Sequence, residues 1–330
     1  MSDKTSTRKA NHIDLAFLSQ IADLDPRFNY EPLLAGHPSF EAKPFEFATK
    51  TVHHPLWISS MTGGTEQAGK INQNLAKIAG KYGLGMGLGS CRIILDDDTY
   101  LNDFKLRSLI GDDFPFYANL GIAQLEELIF SNKLSKVREL IDKTETDGLI
   151  IHVNPMQEWL QPEGDHFTQS PLTTIKQTLD AIDVPVIVKE VGQGMGPKSL
   201  VALAKLPITA IDFGAHGGTN FAALEILRHR DGHGEQFKPL TYVGHSAEQM
   251  IGYCNAIFDA AKSKMDVIIS GGVKGFLDGY YYRSKLNASS VYGQASSLLK
   301  YAAVGYDALD AYVESELKGY QLAETYLEIK

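Results

Sequence analysis

Amide and carboxylate side chains cluster directly after a short apolar run near the middle of the chain. The run begins at Gly148 and reads GLIIHVN, and the next residues, PMQEWLQPEGD, add Gln157, Glu158 and Asp165 to Asn154. A solvated loop would explain so many polar groups, but not why they begin where a buried strand ends. We therefore predict that they line a functional site, where amides offer neutral hydrogen bonds and carboxylates offer oxygen ligands.

Two basic side chains and a histidine stand in or after similar apolar runs. Lys189 ends PVIVK, and a lysine buried there must find an anionic partner or lose its charge through desolvation. It could pair with Glu190, or it could face the electron-rich edge of a cofactor. Arg92 follows GLGSC as a second cation, and His152 is either a satisfied core histidine or a site residue.

The stretch RKANHI near the start of the chain places Arg8, Lys9 and His12 within about one helical turn. Such a cluster is often a solvated face. The alternative is a clamp for an anion that closes over the active site, formed by the guanidinium fork and the ammonium point charge.

Eight apolar, β-rich runs alternate with longer segments of helical period. The runs begin at Leu56, Leu84, Phe114, Gly148, Val184, Ile208, Asp266 and Ser289. Strands that are apolar on both faces and alternate with helices predict an α/β fold, a closed parallel (β/α)8 barrel of the TIM type, with an open doubly wound sheet as the alternative. Polar residues and glycines collect at the ends of the runs, on the face where barrel enzymes carry active sites. This distribution indicates an enzyme.

The domain organisation follows from the position of the first run. Residues 1–55 form an N-terminal extension that we expect to contribute to the active site, and residues 56–330 form one barrel domain. The segment after the sixth strand, 215–248, is too long for an ordinary turn. It contains RHRDGHGEQF, and we predict a long, partly mobile functional loop there.

Composition and charge argue against several classes of protein. The chain has 330 residues, 44% of them hydrophobic, and a net charge of -9. The acidic balance argues against nucleic acid as a partner, although local cations could still converge on an anionic small ligand. Two cysteines, Cys91 and Cys254, are too few for a disulfide framework, so we expect a cytoplasmic protein. We expect neither a signal peptide nor a membrane span, which needs ~18 to 20 apolar residues.

Glycine-rich stretches at the ends of the seventh and eighth runs suggest a phosphate site. SGGV begins at Ser270 and GQAS begins at Gly293, where barrels often hold a phosphate on bare backbone N–H groups. Two tight turns are the alternative reading of these glycines. GTEQAGKI, from Gly64, has Ile71 where a nucleotide P-loop needs Ser or Thr. Neither GLGMGLG nor GQGMG has the spacing of a dinucleotide-binding fold.

These motifs together resemble the type 2, FMN-dependent isopentenyl-diphosphate isomerases. The matching stretches are RKANHI, SSMTGGTEQAGKIN, GLGMGLGSCR, ANLG, IHVNPMQEWLQPEGD, PVIVKEVGQGMG, AIDFGAHGGTNFAALE and ISGGVKGFLDG. They occur in family order from residue 8 to about residue 300, so the resemblance covers nearly the whole chain. The combination of MTGGT, NPxQExxQPEGD and GGTNF is specific, whereas each motif alone is weak.

The resemblance implies positions for a cofactor, a substrate and a metal. The residues that match the family's FMN positions are Ser60, Met61, Thr62, Ser90, Asn119, Lys189, Thr219, Gly271, Gly272, Val273, Ala295 and Ser296. Those that match its substrate positions are Arg8, Lys9, His12, Ser90, Cys91, Arg92 and Gln157, with Arg8 and Lys9 as the diphosphate-binding pair. Glu158 matches its magnesium ligand. The residues implied in catalysis are Gln157, His152, Asn154 and Lys189, and Glu225 falls on a further position expected near the substrate.

The implied reaction moves a double bond and converts isopentenyl diphosphate reversibly to dimethylallyl diphosphate. It needs one proton added at the terminal methylene and another removed from C2. No ordinary side chain here is an obvious acid strong enough to protonate an alkene, and the resemblance implies that reduced FMN fills that role. It further implies Lys189 beside flavin N1, Mg²⁺ on Glu158, and NADPH or NADH as an activating reductant only. The implied partners are a small-molecule diphosphate and further copies of the chain, in a tetramer or octamer.

The chain departs from the family pattern at several positions. Cys91 stands where many relatives carry Gln, His216 where Arg or a small residue is usual, and Lys274 where Arg is common. Lys274 keeps its positive charge but loses a bidentate fork, so the affinity for phosphate could differ. The implied flavin lysine, active-site glutamine and metal glutamate are all present, so these departures do not change the predicted activity.

Two other functions stay open on the residues alone. An FMN-dependent 2-hydroxyacid oxidase on the same barrel would need a histidine base and arginines for the substrate carboxylate. His216 and Arg92 could take those roles, but NPMQEWLQPEGD would then have no function. A catalytically silent barrel could instead bind FMN or a phosphorylated metabolite as a sensor. The presence of Gln157, Glu158 and Lys189 counts against that interpretation.

Overall fold

The fold of the chain is built on twelve short β-strands within the described residues. The computed structural model describes residues 11–12, 15–59, 65–229, 234–261 and 264–330. Three strands precede the barrel: β1 (Phe28–Tyr30), β2 (Phe45–Phe47) and β3 (Lys50–Val52). The remaining strands are β4 (Leu56–Ile58), β5 (Gly85–Gly87), β6 (Phe116–Gly121), β7 (Gly148–Val153), β8 (Val186–Glu190), β9 (Ala210–Asp212), β10 (Asp266–Ile269), β11 (Ser290–Gln294) and β12 (Leu327–Ile329).

Strands β4 to β11 form a closed parallel barrel. Neighbours in the chain are neighbours in the sheet, and β11 pairs with β4 to complete the ring. Each of the eight apolar runs in the sequence contains one of these strands, so the prediction of a (β/α)8 barrel is confirmed. The alternative of an open doubly wound sheet is wrong, because closure leaves this sheet without an edge strand.

Helices surround the barrel and connect its strands. They are α1 (Glu66–Tyr82), α2 (Arg107–Ile110), α3 (Ile122–Phe130), α4 (Ser135–Thr144), α5 (Pro155–Leu160), α6 (Pro171–Ala181), α7 (Pro197–Leu203), α8 (Phe221–Arg228), α9 (Ala247–Ala261), α10 (Phe276–Lys285), α11 (Ser296–Val304) and α12 (Tyr306–Tyr326). Three 3₁₀ helices lie at Arg92–Ile94, Asp98–Asp103 and Glu235–Tyr242. Over the described part of the chain, no helix is both long and apolar enough to cross a membrane.

Large apolar side chains fill the barrel interior. They come from most of its strands: Trp57, Tyr117, Ile150, Ile187, Ala210, Ile268 and Val291. The residues on either side of Trp57, Leu56 and Ile58, belong instead to the cluster that includes the surrounding helices. Each strand therefore buries both of its faces, which explains why the runs are apolar without alternation.

The hairpin of β2 and β3 closes one end of the barrel. Phe47, Ala48 and Val52 are buried in the same cluster as the interior side chains. The Tyr117 hydroxyl donates to the Ala48 carbonyl oxygen at 2.9 Å, and the Ala48 N–H donates to Asp266 Oδ2 at 2.8 Å. Because Asp266 begins β10, the hairpin covers the end opposite the carboxyl ends of the strands. The mouth at the carboxyl ends is therefore the end left for a ligand.

The N-terminal extension lies partly outside the described residues. β1 pairs antiparallel with β12, which ties the extension to the C-terminal segment of the chain. Arg8 and Lys9 fall outside the described residues, and His12 is exposed. The expected contribution of residues 1–55 to the active site therefore stays a prediction.

The long connection after β9 is mostly helical in its described residues. Asn220 caps α8, because its side chain accepts a hydrogen bond from the Ala223 N–H at 2.9 Å. Asn220 Nδ2 also donates to the Thr241 carbonyl oxygen at 2.9 Å, which links α8 to the 3₁₀ helix that follows. The predicted long segment is present, but it is not an irregular loop. Residues 230–233 lie outside the described residues, and the predicted mobility stays a prediction.

Close packing at Gly85 gives a test of the barrel core. A Cβ added there would lie 2.2 Å from Trp57 Cζ3, inside the ring's van der Waals surface. We expect Gly85→Ala to lower the free energy of unfolding by about 1 to 3 kcal/mol, measured by urea unfolding. Gly252→Ala is the matched control, because this exposed glycine of α9 has no atom within 4 Å of an added Cβ. That change should raise the free energy of unfolding by about 0.5 to 1 kcal/mol. Equal stability of Gly85→Ala and the unaltered chain would contradict the packing.

Candidate active site

Polar residues from neighbouring strands lie at one level of the barrel mouth. The parallel register pairs Gly121 with His152, His152 with Lys189, and Lys189 with Asp212. Ser270 follows β10 directly, and the pairing of Asp212 with Ile268 brings it to the same region. The polar row therefore crosses β7, β8 and β9 and continues past the end of β10.

His152 is held as a neutral imidazole. Asn119 Nδ2 donates to the Leu88 carbonyl oxygen at 3.0 Å, so Asn119 Oδ1 faces His152 and accepts from its Nδ1 at 2.7 Å. The proton of the neutral ring therefore lies on Nδ1. Burial, with the Lys189 ammonium nearby, lowers the pKa of His152 to about 4. At neutral pH this histidine is a hydrogen-bonding group and not an acid.

Lys189 has an acidic partner, but the partner is not Glu190. The Glu190 carboxylate accepts from the backbone N–H groups of the following turn, at 2.7 Å from Gly192 and 2.6 Å from Gln193. Among the described residues, the acceptor of Lys189 Nζ is the backbone carbonyl oxygen of Glu190, at 2.8 Å. Its ion-pair partner is Asp212, whose Oδ2 lies 3.9 Å from Nζ. The hypothesis of a Lys189–Glu190 side-chain pair is therefore wrong.

The NPMQEWLQPEGD segment folds into α5 and the turn that follows it. Asn154 Nδ2 donates to Glu158 Oε1 at 2.8 Å and to Gln157 Oε1 at 3.2 Å. Glu158 Oε2 accepts from the Asp165 N–H at 2.8 Å, which folds the end of the segment back over α5. The Asp165 carboxylate then forms a salt bridge with Arg92 at 2.5 Å. The polar cluster is thus one connected network at the mouth.

Gln157 extends this network to the long connection after β9. Its Nε2 donates to Glu225 Oε1 at 3.3 Å, and Glu225 Oε2 accepts from Arg228 Nη1 at 2.6 Å. Glu225 is buried, whereas Gln157 is only half-buried. A small cleft lies beside them, lined among others by Asn154, Gln157 and Phe221.

Glycines at the ends of β9 and β10 bring bare backbone together. Gly271 and Gly272 have φ angles of 86° and 74°, in the left-handed region that favours glycine. A Cβ on Gly271 would lie 2.0 Å from the Ala215 carbonyl oxygen, so no side chain fits there. α11 begins at Ser296 without a side-chain cap, and its first N–H groups remain available to an anion.

Several buried polar atoms at the mouth have no hydrogen-bond partner among the described residues. They are Ser59 Oγ, Asn154 Oδ1, Asp212 Oδ2 and His216 Nδ1. Buried polar atoms are nearly always paired in folded proteins. Asp212 Oδ2 faces the Lys189 ammonium, and the other three atoms, together with the glycine backbone, fit a polar ligand bound there.

Comparison with known proteins identifies the family. No family model matches the chain. An isopentenyl-diphosphate delta-isomerase of Cronobacter sakazakii is 33% identical over 319 residues, which cover 94% of this chain and 89% of that protein. The chain belongs to the isopentenyl-diphosphate delta-isomerase family. A second member, from Rickettsia akari, is 34% identical over 262 residues, which cover 78% of this chain and 72% of that protein.

Solved structures with the same fold have much lower identity. A flavocytochrome b2 variant with pyruvate bound matches with a TM-score of 0.61 and 12% identity, over 91% of this chain and 72% of that chain. A mandelate oxidase variant with (S)-mandelic acid matches with a TM-score of 0.59 and 12% identity, over 92% and 86%. At this identity the likeness concerns the barrel fold alone.

Most described residues predicted from the isomerase family pattern lie at the mouth. Asn119 is buried in the polar row, and the segments of Gly271 to Val273 and of Ala295 and Ser296 form the glycine-rich end of β10 and the start of α11. Ser90 and Thr219 are exposed on loops that follow β5 and β9. Five predicted residues lie outside the described part: Arg8, Lys9, Ser60, Met61 and Thr62.

Cys91 is the predicted substrate residue whose side chain does not face the mouth. The side chain is fully buried, Sγ lies 3.4 Å from the Gly89 carbonyl oxygen, and burial raises the pKa of the thiol to about 12. Any contact of this segment with a substrate would therefore come from Ser90 and Arg92 or from the backbone.

Glu158 is the single carboxylate proposed for a metal. Among the described residues there is no group of three or more His, Cys, Asp or Glu side chains that could hold a metal ion. Each Glu158 oxygen accepts one hydrogen bond, and a carboxylate oxygen has two lone pairs, so coordination capacity remains. The donor set fits an ion that takes one protein carboxylate and completes its shell with waters and phosphate oxygens.

Sequence reasoning missed Asp212, Ser59 and the contact of Ser270 with Asp212. The available signal for Asp212 was an acidic residue inside the otherwise apolar run AIDFG. A buried acid on one strand and the buried Lys189 on the strand before it should have been considered as a pair. Ser59 and Ser270 carry no comparable signal, because serines at strand ends are common.

The lowered pKa of His152 predicts a pH dependence of stability. Below the unfolded pKa of 6.5 the unfolded chain binds a proton that the folded state excludes, so stability falls as pH drops from 6.5 towards 4. Between pH 7 and pH 5, we expect the free energy of unfolding to fall by about 2 kcal/mol less in His152→Gln than in the unaltered chain, measured by urea unfolding at both pH values. His166→Gln, at an exposed histidine of the same region, is the control. An unchanged pH dependence in His152→Gln would contradict the neutral imidazole.

Proposed function

We propose that this protein interconverts isopentenyl diphosphate and dimethylallyl diphosphate. The observation that carries the proposal is the 33% identity to the Cronobacter sakazakii isomerase over 94% of this chain. The mouth supports it, because the stretch NPMQEWLQPEGD forms a network of amides and carboxylates there instead of a solvated loop. Such a network can orient a polar substrate without itself being a strong acid.

The described side chains at the mouth do not supply an acid that could protonate an alkene. His152 is neutral because its pKa is lowered to about 4, and the Cys91 thiol is buried. Asn154 and Gln157 are neutral amides. FMN in its reduced form, when bound, would supply the acid–base chemistry of the double-bond shift. The protein's part is then to hold the reactants, exclude water and fix the charges around them.

FMN would be held by residues from several strands. Lys189 provides the buried positive charge that the anionic reduced flavin requires, Asn119 lies in β6, and Ser90 lies on the loop after β5. The backbone of Gly271 to Val273 and of Ala295 and Ser296 would receive its phosphate. Thr219, Ser60, Met61 and Thr62 complete the proposed set, although the last three lie outside the described residues.

The diphosphate would be held by a metal and by cations. Glu158 would bind Mg²⁺, which typically keeps several waters and bridges to substrate phosphates. Arg8, Lys9 and His12 would close over the diphosphate as the anion clamp predicted from RKANHI. Gln157 would contact the hydrocarbon part of the substrate through its amide, which Glu225 holds in place at 3.3 Å.

Further properties belong to the same proposal. NADPH or NADH would act only as the reductant that activates the flavin, because the isomerisation has no net redox change. The cytoplasm would be the compartment, and a tetramer or octamer of identical chains would be the assembly. No nucleic acid and no membrane takes part in this proposal.

Oxidation of a 2-hydroxyacid is the second candidate, since proteins with that fold include a mandelate oxidase. It would need Arg92 free for a carboxylate and His216 free as a base. Arg92 is already paired with Asp165 at 2.5 Å. This contact favours the isomerase.

Gln157 provides the first test of the activity. With reduced FMN, Mg²⁺ and isopentenyl diphosphate under anaerobic conditions, ¹H NMR should detect dimethylallyl diphosphate. We expect Gln157→Ala to lower kcat at least about 100-fold, because the amide orients the reacting groups. Gln177→Ala, at an exposed glutamine of α6, should leave the rate unchanged. Full activity with oxidised FMN alone would contradict the proposal.

Glu158 provides a second test through the metal. Glu158→Gln keeps the side chain's shape and one oxygen acceptor but removes the charge, so the Mg²⁺ concentration for half-maximal rate should rise at least about 10-fold. The rate should recover at high Mg²⁺ concentration. Glu163→Gln, at an exposed glutamate of the same segment that pairs with Arg228, is the control. A rate lost at every Mg²⁺ concentration would point to a structural role instead.

A further inference from the structure

A buried ion pair lies in the polar row of the barrel mouth. Lys189 Nζ and Asp212 Oδ2 are 3.9 Å apart, and the two side chains are 13% and 1% exposed. Their strands are adjacent, and the register places the two residues directly opposite each other. Asp212 therefore lies beside Lys189, on the same inner face of the barrel.

No other described carboxylate takes this place. One carboxylate oxygen of Glu190, the next residue, accepts hydrogen bonds from the N–H groups of Gly192, Gln193 and Gly194. On the other side of Lys189, the register places His152, which is neutral at pH 7 because its pKa is lowered to about 4. The Lys189 charge is thus balanced within the protein by Asp212.

Ser270 fixes the direction of the Asp212 carboxylate. The Ser270 hydroxyl donates to Asp212 Oδ1 and accepts from the Gly214 N–H at 2.9 Å. Because the hydroxyl has one hydrogen, its acceptance from Gly214 leaves that hydrogen for Asp212. Within the described part of the chain, Asp212 Oδ2 then has no hydrogen-bond donor, and Lys189 is its ion-pair partner.

We propose that Asp212, oriented by Ser270, is the positioning residue that keeps Lys189 charged and directed at the flavin site. The inference rests on the proposed function in that it takes Lys189 as the cation beside the flavin. A buried ammonium without an anion loses its proton or moves toward water. Removal of the Asp212 charge should therefore weaken the influence of Lys189 on the flavin.

The midpoint potential of bound FMN tests this role, because loss of a residue with a purely structural role would not lower that potential. A cation beside the flavin stabilises the anionic reduced form and raises the potential. We expect Asp212→Asn to lower the two-electron potential by at least about 30 mV, a factor of ten in the equilibrium constant. Loss of the Asp212 charge by itself would act in the opposite direction and raise the potential.

Comparing Asp212→Asn with and without Lys189 then shows whether Asp212 acts on the potential through Lys189 or directly on the flavin. In a Lys189→Met background, Asp212→Asn should give no fall in potential. Ser270→Ala should lower the potential less than Asp212→Asn does. Asp266→Asn is the matched control, because this part-buried aspartate of β10 lies at the opposite end of the barrel and should leave the potential unchanged. An equal fall in both Lys189 backgrounds, or a rise in Asp212→Asn, would overturn the proposal.

A second measurement does not need the flavin. In the flavin-free protein, Asp212→Asn and Lys189→Met should be coupled in a double-mutant cycle of urea unfolding. Adding the free-energy changes of the two single variants gives an expected unfolding equilibrium constant for the double variant. We expect the measured constant to be at least about 5-fold smaller than that value. Strict additivity would overturn the pairing.

The two measurements distinguish failure of this inference from failure of the proposed function. If FMN binds and the potentials behave as expected but no isomer forms, the positioning role stands and the isomerase is wrong. If isomer forms while Asp212→Asn leaves the potential and the unfolding coupling unchanged, the positioning role is wrong. If FMN does not bind, the unfolding cycle alone decides whether Asp212 holds Lys189.

Discussion

The parallel register of β7, β8 and β9 is the constraint on which the site depends. It places His152, Lys189 and Asp212 at one level, on three neighbouring strands. The register follows from closure of the barrel, and closure in turn depends on the interior side chains and on the hairpin that covers the N-terminal end of the strands. A shift of one residue on β8 would turn Lys189 to the opposite face of the sheet. The fold therefore determines the arrangement of charges at the mouth.

The mouth that results is polar but contains few free charges. Burial, with the Lys189 ammonium nearby, keeps His152 neutral, Asp212 balances Lys189, and backbone N–H groups hold Glu190. Such a site orients a ligand and does not itself supply a strong acid, which fits a reaction whose acid–base step belongs to a cofactor. Binding energy for an anionic substrate would come from Mg²⁺ on Glu158 and from the N-terminal cations, outside this row.

The sequence allowed the eight strands and the position of the mouth to be predicted, because strands buried on both faces are continuous apolar runs with polar ends. The structure joins Asn154, Gln157 and Glu158 by hydrogen bonds, and their role as a site stays a prediction. The acidic residue inside the apolar run AIDFG was a signal for the partner of Lys189, but only the register shows that Asp212 lies beside it. The neighbour Glu190 looked equivalent in sequence, but the backbone of Gly192 to Gly194 engages it. Burial of Cys91 likewise depends on packing that a single sequence does not contain.

In the proposed reaction, the double bond moves by exchange of protons with groups in contact with solvent, without net oxidation. NMR of the product formed from isopentenyl diphosphate in D₂O, with reduced FMN and Mg²⁺, tests this reaction. We expect dimethylallyl diphosphate that carries deuterium in the methyl group derived from the terminal methylene. Dimethylallyl diphosphate formed without deuterium, or no product at all while reduced FMN is bound, would contradict it.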